Sequence, residues 1–262
     1  MDLPKVCAVS YLNTSPLVWG MEYTDLGRLV NLEYALPSEC AEHVRKGEAD
    51  VGIVPVIEIE RMGLEWIPGT GIACEGEVRS ILLISKVPLD RIRTLAADTG
   101  SRTSVMLSRV ILAHRYGAEP ETTPMAPDLE AMLAAADAAL IIGDPALMLD
   151  PEALRANYEV LDLGAEWYSL TGLPMIFALW AGKKEKLAPE LETIFTQSCR
   201  YGLRHLDDVL DIECYKRRIP EMLARTYLSR HIVFQLSGRH YEGMRRYLKL
   251  AAEVKQLGAV PA

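Results

Sequence analysis

The chain has 262 residues, of which half are hydrophobic and 24% are charged, and 28 basic against 36 acidic residues give a net charge of −8. This length and composition predict one large or two small folded domains, and they exclude a disordered or collagen-like chain. The acidic balance argues against a nucleic-acid-binding protein, because neutralising phosphates requires a basic surface.

The first part of the chain alternates short apolar runs with helical patterns. This strand–helix–strand order predicts a parallel sheet covered by helices. The predicted strands are residues 6–12, 32–35, 50–54 and 81–84. Between them, residues 16–29 are helical or irregular and residues 39–46 form a helix.

A second alternating set follows, and after Gly182 the patterns are helical to the end. The predicted strands of this set are residues 94–97, 138–142, 159–163 and 175–180. The predicted helices are residues 105–116 and 129–136, followed after Gly182 by 189–206, 220–229 and 241–257.

This organisation predicts two α/β lobes and a helical C-terminal tail. The apolar runs at residues 81–84 and 175–180 mark the boundaries, so the middle lobe, residues 86–178, is interpreted as an insertion. Residues 1–84 and 181–262 then form a discontinuous first lobe. We expect the ligand in the cleft between the lobes, where small molecules often bind.

The cysteines and the N-terminus bear on the cellular compartment. The five cysteines contain no C-x-x-C pair, which argues against a disulfide framework or zinc ribbon and favours free thiols. The N-terminal stretch MDLPKVCAVSYLN does not resemble a signal peptide, and no apolar run has the length of a membrane helix. These features predict a soluble, cytoplasmic protein.

Ligands of parallel sheets bind beyond the carboxyl ends of the strands, so the turns that follow predicted strands are candidate sites. These turns are rich in hydroxyls, amides and glycine. They contain Ser10, Tyr11 and Asn13 after the first strand, Pro55 after the third, Ser101, Thr103 and Ser104 after residues 94–97, and Gly143 and Asp144 after residues 138–142.

Each of these turns also has a purely structural interpretation. The first backbone N–H groups of the helix after Ser101 suit a carboxylate or phosphate, yet Thr103 can equally be an N-cap alone. Asp144 followed by Pro145 fits a helix start, and Gly143 would let a ligand approach the backbone. Arg79, beside Ser80, can bind a carboxylate, although a surface arginine is more frequent.

Known catalytic patterns are absent from the sequence. It contains no P-loop and no G-x-S-x-G, and none of the five histidines has metal-ligand spacing. The residues therefore favour a binding site made of uncharged polar groups, with no metal and no strong acid–base pair.

Five motifs in order resemble chorismate dehydratases of the futalosine route to menaquinone. They are VSYLNTSPL (9–17), DVGIVPV (50–56), SRTS (101–104), IGDPAL (142–147), and DLGAEW with TGLP (162–167, 171–174). The resemblance implies a two-lobed fold like that of type II periplasmic binding proteins. It also implies a carbon–oxygen lyase that removes water from chorismate, giving 3-[(1-carboxyvinyl)oxy]benzoate. Chorismate is the expected small-molecule partner, with no cofactor, no nucleic acid and no membrane, and the sequence does not give the oligomeric state.

The resemblance also suggests roles for the candidate residues. Asn13 is the candidate catalytic residue, and Thr103 and Ser104 are expected to bind one carboxylate. The substrate's own enolpyruvyl carboxylate is a candidate proton acceptor, since no protein base is evident. A non-catalytic solute-binding protein and a related menaquinone-pathway enzyme acting on a later intermediate remain the alternatives. The other expected substrate-binding residues are Ser10, Tyr11, Pro55, Arg79, Ser80, Ser101, Gly143 and Asp144.

Overall fold

A computed structural model describes residues 3–100 and 102–257, which divide into two compact units. The described part of unit 1 lies within Met1–Ala73 and Ile176–Ser237, and that of unit 2 lies within Cys74–Met175 and Gly238–Ala262. Each unit contains one β-sheet. None of the described helices combines the length and apolar composition needed to cross a bilayer.

The described residues form eleven strands and twelve α-helices. The strands are β1 (Lys5–Val9), β2 (Asn31–Ala35), β3 (Val51–Pro55), β4 (Glu65–Cys74), β5 (Ile81–Ser85), β6 (Thr94–Asp98), β7 (Glu121–Met125), β8 (Ala138–Ile142), β9 (Glu159–Asp162), β10 (Met175–Gly182) and β11 (Val233–Gln235). The helices are α1 (Ser15–Tyr23), α2 (Pro37–Lys46), α3 (Val56–Arg61), α4 (Arg102–Ile111), α5 (Leu129–Ala135), α6 (Gly143–Leu147), α7 (Pro151–Leu154), α8 (Leu163–Thr171), α9 (Glu190–Arg204), α10 (Leu206–Arg217), α11 (Glu221–Thr226) and α12 (Gly238–Leu257).

The sheet of unit 1 has the order β11-β4-β10-β3-β1-β2. Strand β1 pairs in parallel with β2 and β3, whereas β10 is antiparallel to β3 and β11 is antiparallel to β4. The predicted parallel sheet is therefore mixed. The reason is that β10 follows the segment that forms unit 2, so no crossover helix within unit 1 constrains its direction. All five residues of β3 are buried, which explains its unbroken apolar sequence.

The sheet of unit 2 has the order β7-β6-β8-β5-β9. Strand β6 is parallel to β7 and β8, and β5 is antiparallel to β8 and β9. This sheet is also mixed. Its core includes Leu82 and Ile84 of β5, Ile141 of β8 and Met132 of α5, all of them buried.

The observed units differ from the predicted lobes at the C-terminus. Helix α12 was expected in the first lobe but belongs to unit 2, where the Tyr247 hydroxyl donates to the Thr103 carbonyl oxygen at 3.0 Å. The predicted tail is also not wholly helical, because β11 pairs with β4. The chain changes unit at residues 73/74 and 175/176, rather than near residues 85 and 180, and changes again at residues 237/238.

Sequence reasoning missed strands β4, β7 and β11 and shifted one helix. Strand β4 contains Pro68, Gly69 and Gly71, residues that usually argue against a strand interior. The helix predicted at residues 105–116 begins earlier, at Arg102, and continues after α4 as one turn of π-helix, Leu112–Tyr116. The five cysteines are free thiols, as predicted.

Candidate functional site

One edge of the unit 2 sheet brings together several predicted site residues. The parallel strands β6 and β8 end there, and the antiparallel β5 begins there. The Gly143 backbone N–H donates to the Ser80 carbonyl oxygen at 2.8 Å, so the turns that precede β5 and follow β8 are in contact. Ser80 is buried.

The turn after β8 differs from the predicted helix start. Helix α6 begins at Gly143, so Asp144 lies inside its first turn and is not the N-cap. The N-cap is Ile142, which provides no side-chain cap, and Gly143 has a φ of +66°, a conformation that glycine adopts without steric cost. Asp144 is half-buried.

The first turn of α4 contains Thr103 and Ser104, whose exposed fractions are 2% and 3%. Because α4 begins at Arg102, Thr103 lies within the first turn and not at the cap position. Ser101, the remaining predicted residue of this turn, lies outside the described residues. The turn therefore offers backbone N–H groups and two nearly buried hydroxyls.

Asp98, which the sequence analysis did not select, ends β6 at the same edge. Its carboxylate accepts hydrogen bonds from the backbone N–H groups of Gly100 at 2.8 Å and Ile142 at 3.4 Å. Burial raises the pKa of Asp98 above its ordinary value. Its place directly after a predicted strand was the signal that could have identified it.

The Arg79 side chain and backbone both make hydrogen bonds within unit 2. Its guanidinium donates to the carbonyl oxygens of Ala146 at 3.4 Å and Leu149 at 2.5 Å, at and just beyond the end of α6. Its backbone has a φ of +67°, in the left-handed region, and its N–H donates to Asp162 Oδ2 at 2.6 Å. These contacts support a structural role for Arg79 and not the expected carboxylate contact.

In unit 1, the ends of β1 and β3 bring other predicted residues to one edge. Cys7 of β1 pairs with Gly52 of β3 in parallel, and Ser10 follows the end of β1 while Pro55 is the last residue of β3. Tyr11 follows Ser10 and precedes a 3₁₀ turn, Leu12–Thr14.

Asn13 lies in that 3₁₀ turn and has a specific partner. Its Nδ2 donates to the Tyr227 hydroxyl oxygen at 3.0 Å, and Tyr227 is buried. This bond fixes the orientation of the Asn13 amide. The two residues are 214 positions apart, so no local pattern could have revealed the pairing.

The Ser10 backbone is held by a partly buried ion pair. The Arg217 guanidinium donates to the Ser10 carbonyl oxygen at 2.6 Å, and its Nε lies 2.7 Å from Glu213 Oε2. An adjacent cavity of about 370 Å³ is also lined by Glu22 and Glu213. Lys216 and Arg217 line it too, so two cations balance the two carboxylates in its wall.

Comparison with known proteins identifies the family of this chain. A family model described as menaquinone biosynthesis matches residues 4–253. The chain belongs to this menaquinone biosynthesis family. Among curated family relatives, a chorismate dehydratase from Thermus thermophilus is 30% identical, over 74% of this chain and 77% of its own length.

Solved structures show the fold that this family member adopts. A protein from Archaeoglobus fulgidus has a TM-score of 0.74 at 17% identity, with 97% of each chain covered. The periplasmic aliphatic sulphonate binding protein of Escherichia coli has a TM-score of 0.66 at 13% identity, covering 100% of this chain and 89% of its own. A Candida albicans protein described as having the generic periplasmic binding protein fold has a TM-score of 0.62 at 13% identity, with 97% and 91% covered. These likenesses confirm the predicted α/β, periplasmic-binding-protein-like fold.

Proposed function

We propose that this chain is a chorismate dehydratase, a carbon–oxygen lyase that removes water from chorismate. The observation that carries the proposal is the 30% identity to the Thermus thermophilus enzyme, together with the family match over residues 4–253. The strand-end turns of both sheets add support, because they carry the uncharged donors that a small carboxylate substrate requires.

The chemistry of the reaction indicates which groups are needed. Chorismate is a dianion, and loss of the C3 proton and the C4 hydroxyl makes its ring aromatic. Removing the C3 proton moves negative charge through the ring alkene toward the ring carboxylate. Hydrogen-bond donors at that carboxylate would stabilise the transition state more than the ground state.

The first turn of α4 is our candidate for carboxylate binding. Its backbone N–H groups lie at the positive end of the helix dipole, and Thr103 and Ser104 add hydroxyls. The low exposure of both side chains would keep water away from a bound carboxylate, which strengthens the hydrogen bonds to it. Ser80 and Gly143 lie at the same sheet edge and are candidate substrate contacts, whereas Arg79 is left out of the proposed site.

Asn13 is our candidate catalytic residue. The hydrogen bond to Tyr227 fixes its amide, and a fixed amide can hydrogen-bond the departing C4 hydroxyl without reorganising. We assign Asp98 a structural role, because its carboxylate holds the backbone N–H groups of Gly100 and Ile142. We propose that the enolpyruvyl carboxylate of the substrate takes the C3 proton, with the enzyme fixing its position, and then gives that proton to the departing C4 hydroxyl, which leaves as water.

Turnover of chorismate by Asn13→Ala tests this proposal. Loss of one preorganised donor should lower kcat by about 100-fold or more. The matched control is Asn157→Ala, which removes an exposed asparagine from unit 2 and should leave kcat unchanged. Formation of the substituted benzoate is followed by its absorbance.

Two outcomes would contradict the proposal at different levels. A near-wild-type rate in Asn13→Ala would remove Asn13 from the mechanism while leaving the activity in place. Binding of chorismate by the wild-type protein without conversion would instead indicate a solute-binding protein.

A further inference from the structure

Three side chains of metal-binding type meet in unit 1, on three different elements. Cys7 lies on β1 and pairs directly with Glu33 of the parallel strand β2, so both project from the same face of the sheet. On α2, Cys40 and His43 are three residues apart and therefore share one side of the helix. The Cys40 sulfur lies 3.1 Å from the Cys7 sulfur, so this side of α2 faces β1.

The separations of the ligand atoms fit one small cation. His43 Nδ1 lies 3.8 Å from Cys7 Sγ and 3.2 Å from Glu33 Oε1, and the three ligand atoms all lie within 4.8 Å of one another. Zinc bonds of roughly 2.0–2.3 Å in a tetrahedral site separate neighbouring ligand atoms by about 3.2–3.8 Å. The observed spacing therefore requires little movement for a cation to bind.

The surroundings of His43 and the exposure of the cluster also suit a metal site. Glu48 Oε2 lies 3.9 Å from His43 Nε2, on the side of the ring opposite the cluster. This separation exceeds hydrogen-bond distance, and a carboxylate nearby would orient a metal-bound imidazole if the two closed to about 3 Å. The Cys7 side chain is fully buried, whereas those of His43 and Glu33 are 33% and 48% exposed, which provides an entry path from solvent.

We propose that Cys7, Glu33 and His43 bind one thiophilic divalent cation of the zinc type, with the Cys40 thiol hydrogen-bonded to the Cys7 sulfur beside it. A sulfur, an imidazole nitrogen and a carboxylate oxygen favour Zn²⁺ or Cd²⁺ over Mg²⁺ or Ca²⁺, which prefer oxygen ligands alone. The sequence analysis predicted no metal, because the three ligands are far apart in the chain and have no motif spacing. The site does not depend on the proposed dehydratase activity.

Calorimetric titration of the full-length protein with Zn²⁺, with the thiols kept reduced, tests the site. We expect one equivalent to bind to the wild-type protein, and the affinity to fall at least 10-fold in His43→Ala and in Glu33→Gln. His114→Ala removes an exposed histidine from unit 2 and is the matched control, with wild-type affinity expected. Excess Mg²⁺ should not compete.

Cd²⁺ provides a second measurement that reports the sulfur ligand directly. A cadmium–thiolate charge-transfer band should appear in the wild-type protein and in Cys214→Ser, and should disappear in Cys7→Ser. Absence of Zn²⁺ binding to the wild type would overturn the proposal. Wild-type Zn²⁺ affinity in both His43→Ala and Glu33→Gln would also overturn it, as would a cadmium–thiolate band that persists in Cys7→Ser.

Discussion

Asp162 links two segments of unit 2 through a single carboxylate. Its Oδ1 accepts the backbone N–H groups of Val78, Gly164 and Ala165 at 2.9–3.0 Å, and its Oδ2 accepts that of Arg79 at 2.6 Å. The carboxylate therefore caps α8 and anchors the turn before β5. The bond to Arg79 also supports a backbone in the left-handed region, which is costly for a residue other than glycine.

Asp162→Asn should lower the free energy of unfolding by about 2 kcal/mol. The asparagine oxygen can keep the three bonds made by Oδ1, but its NH₂ group would face the Arg79 N–H and leave a buried donor unsatisfied. Urea denaturation measures the change.

Asp128→Asn is the matched control for this substitution. Asp128 is an exposed N-cap that accepts the Ala131 N–H at 3.0 Å, and asparagine caps helices as well as aspartate does. We expect little change in stability. Equal effects of the two substitutions would refute the role assigned to Oδ2.

At the scale of elements, α1 and α9 pack with their backbones unusually close. A Cβ atom at Gly20 of α1 would lie 2.5 Å from Ser198 Cα, and one at Gly202 of α9 would overlap the Pro16 carbonyl oxygen. The Ser198 hydroxyl also accepts the Met21 backbone N–H at 3.1 Å. Since α1 directly follows the turn that contains Asn13, this packing helps to fix the position of that turn.

Gly202→Ala should therefore lower the free energy of unfolding by about 2 kcal/mol, because α1 and α9 must separate to accommodate the methyl group. Gly238→Ala, at the start of α12, adds the same methyl group where no atom lies within 4 Å. We expect this control to be neutral or slightly stabilising. Thermal or urea unfolding of both variants measures the change in stability. A wild-type free energy of unfolding in Gly202→Ala would contradict the close packing of α1 and α9.

Elements with a clear local pattern could be predicted from the sequence, and those defined by distant partners could not. Strands β3 and β8 are continuous apolar runs and were predicted close to their observed bounds. The direction of β10 depends on its partner β3, far away in sequence, and no local pattern encodes it. In the candidate site, the turns that follow strands could be predicted from local patterns. The contact of Asn13 with Tyr227 could not, because the two residues are far apart in the sequence.

At the scale of the whole molecule, the chain passes between the two units three times, at residues 73/74, 175/176 and 237/238. Helix α12 completes unit 2 although it follows the last segment of unit 1. It contributes the buried side chains of Met244, Tyr247, Leu250 and Val254. Its packing is close, because a Cβ atom at Gly243 would overlap the Pro174 carbonyl oxygen.

A chain shortened to end at residue 237 should lose the fold of unit 2. The large apolar side chains of α12 stabilise by roughly 1.5–3 kcal/mol each, and their sum is comparable to the whole stability of a typical domain. Hydrogen exchange measured residue by residue should show lost protection in β6 and β8, with protection retained in β1 and β3. Full protection of β6 and β8 would show that unit 2 does not need α12.

The position of α12 in the chain has a consequence for biosynthesis. A ribosome releases the polypeptide from its amino end, so residues 74–175 emerge long before α12 does. During that interval, the unit 2 surface that Tyr247 and Leu250 will contact stays exposed. The residues translated meanwhile, 176–237, belong to unit 1. Nascent protein should therefore be most vulnerable to aggregation and most in need of chaperones during the last stage of its synthesis.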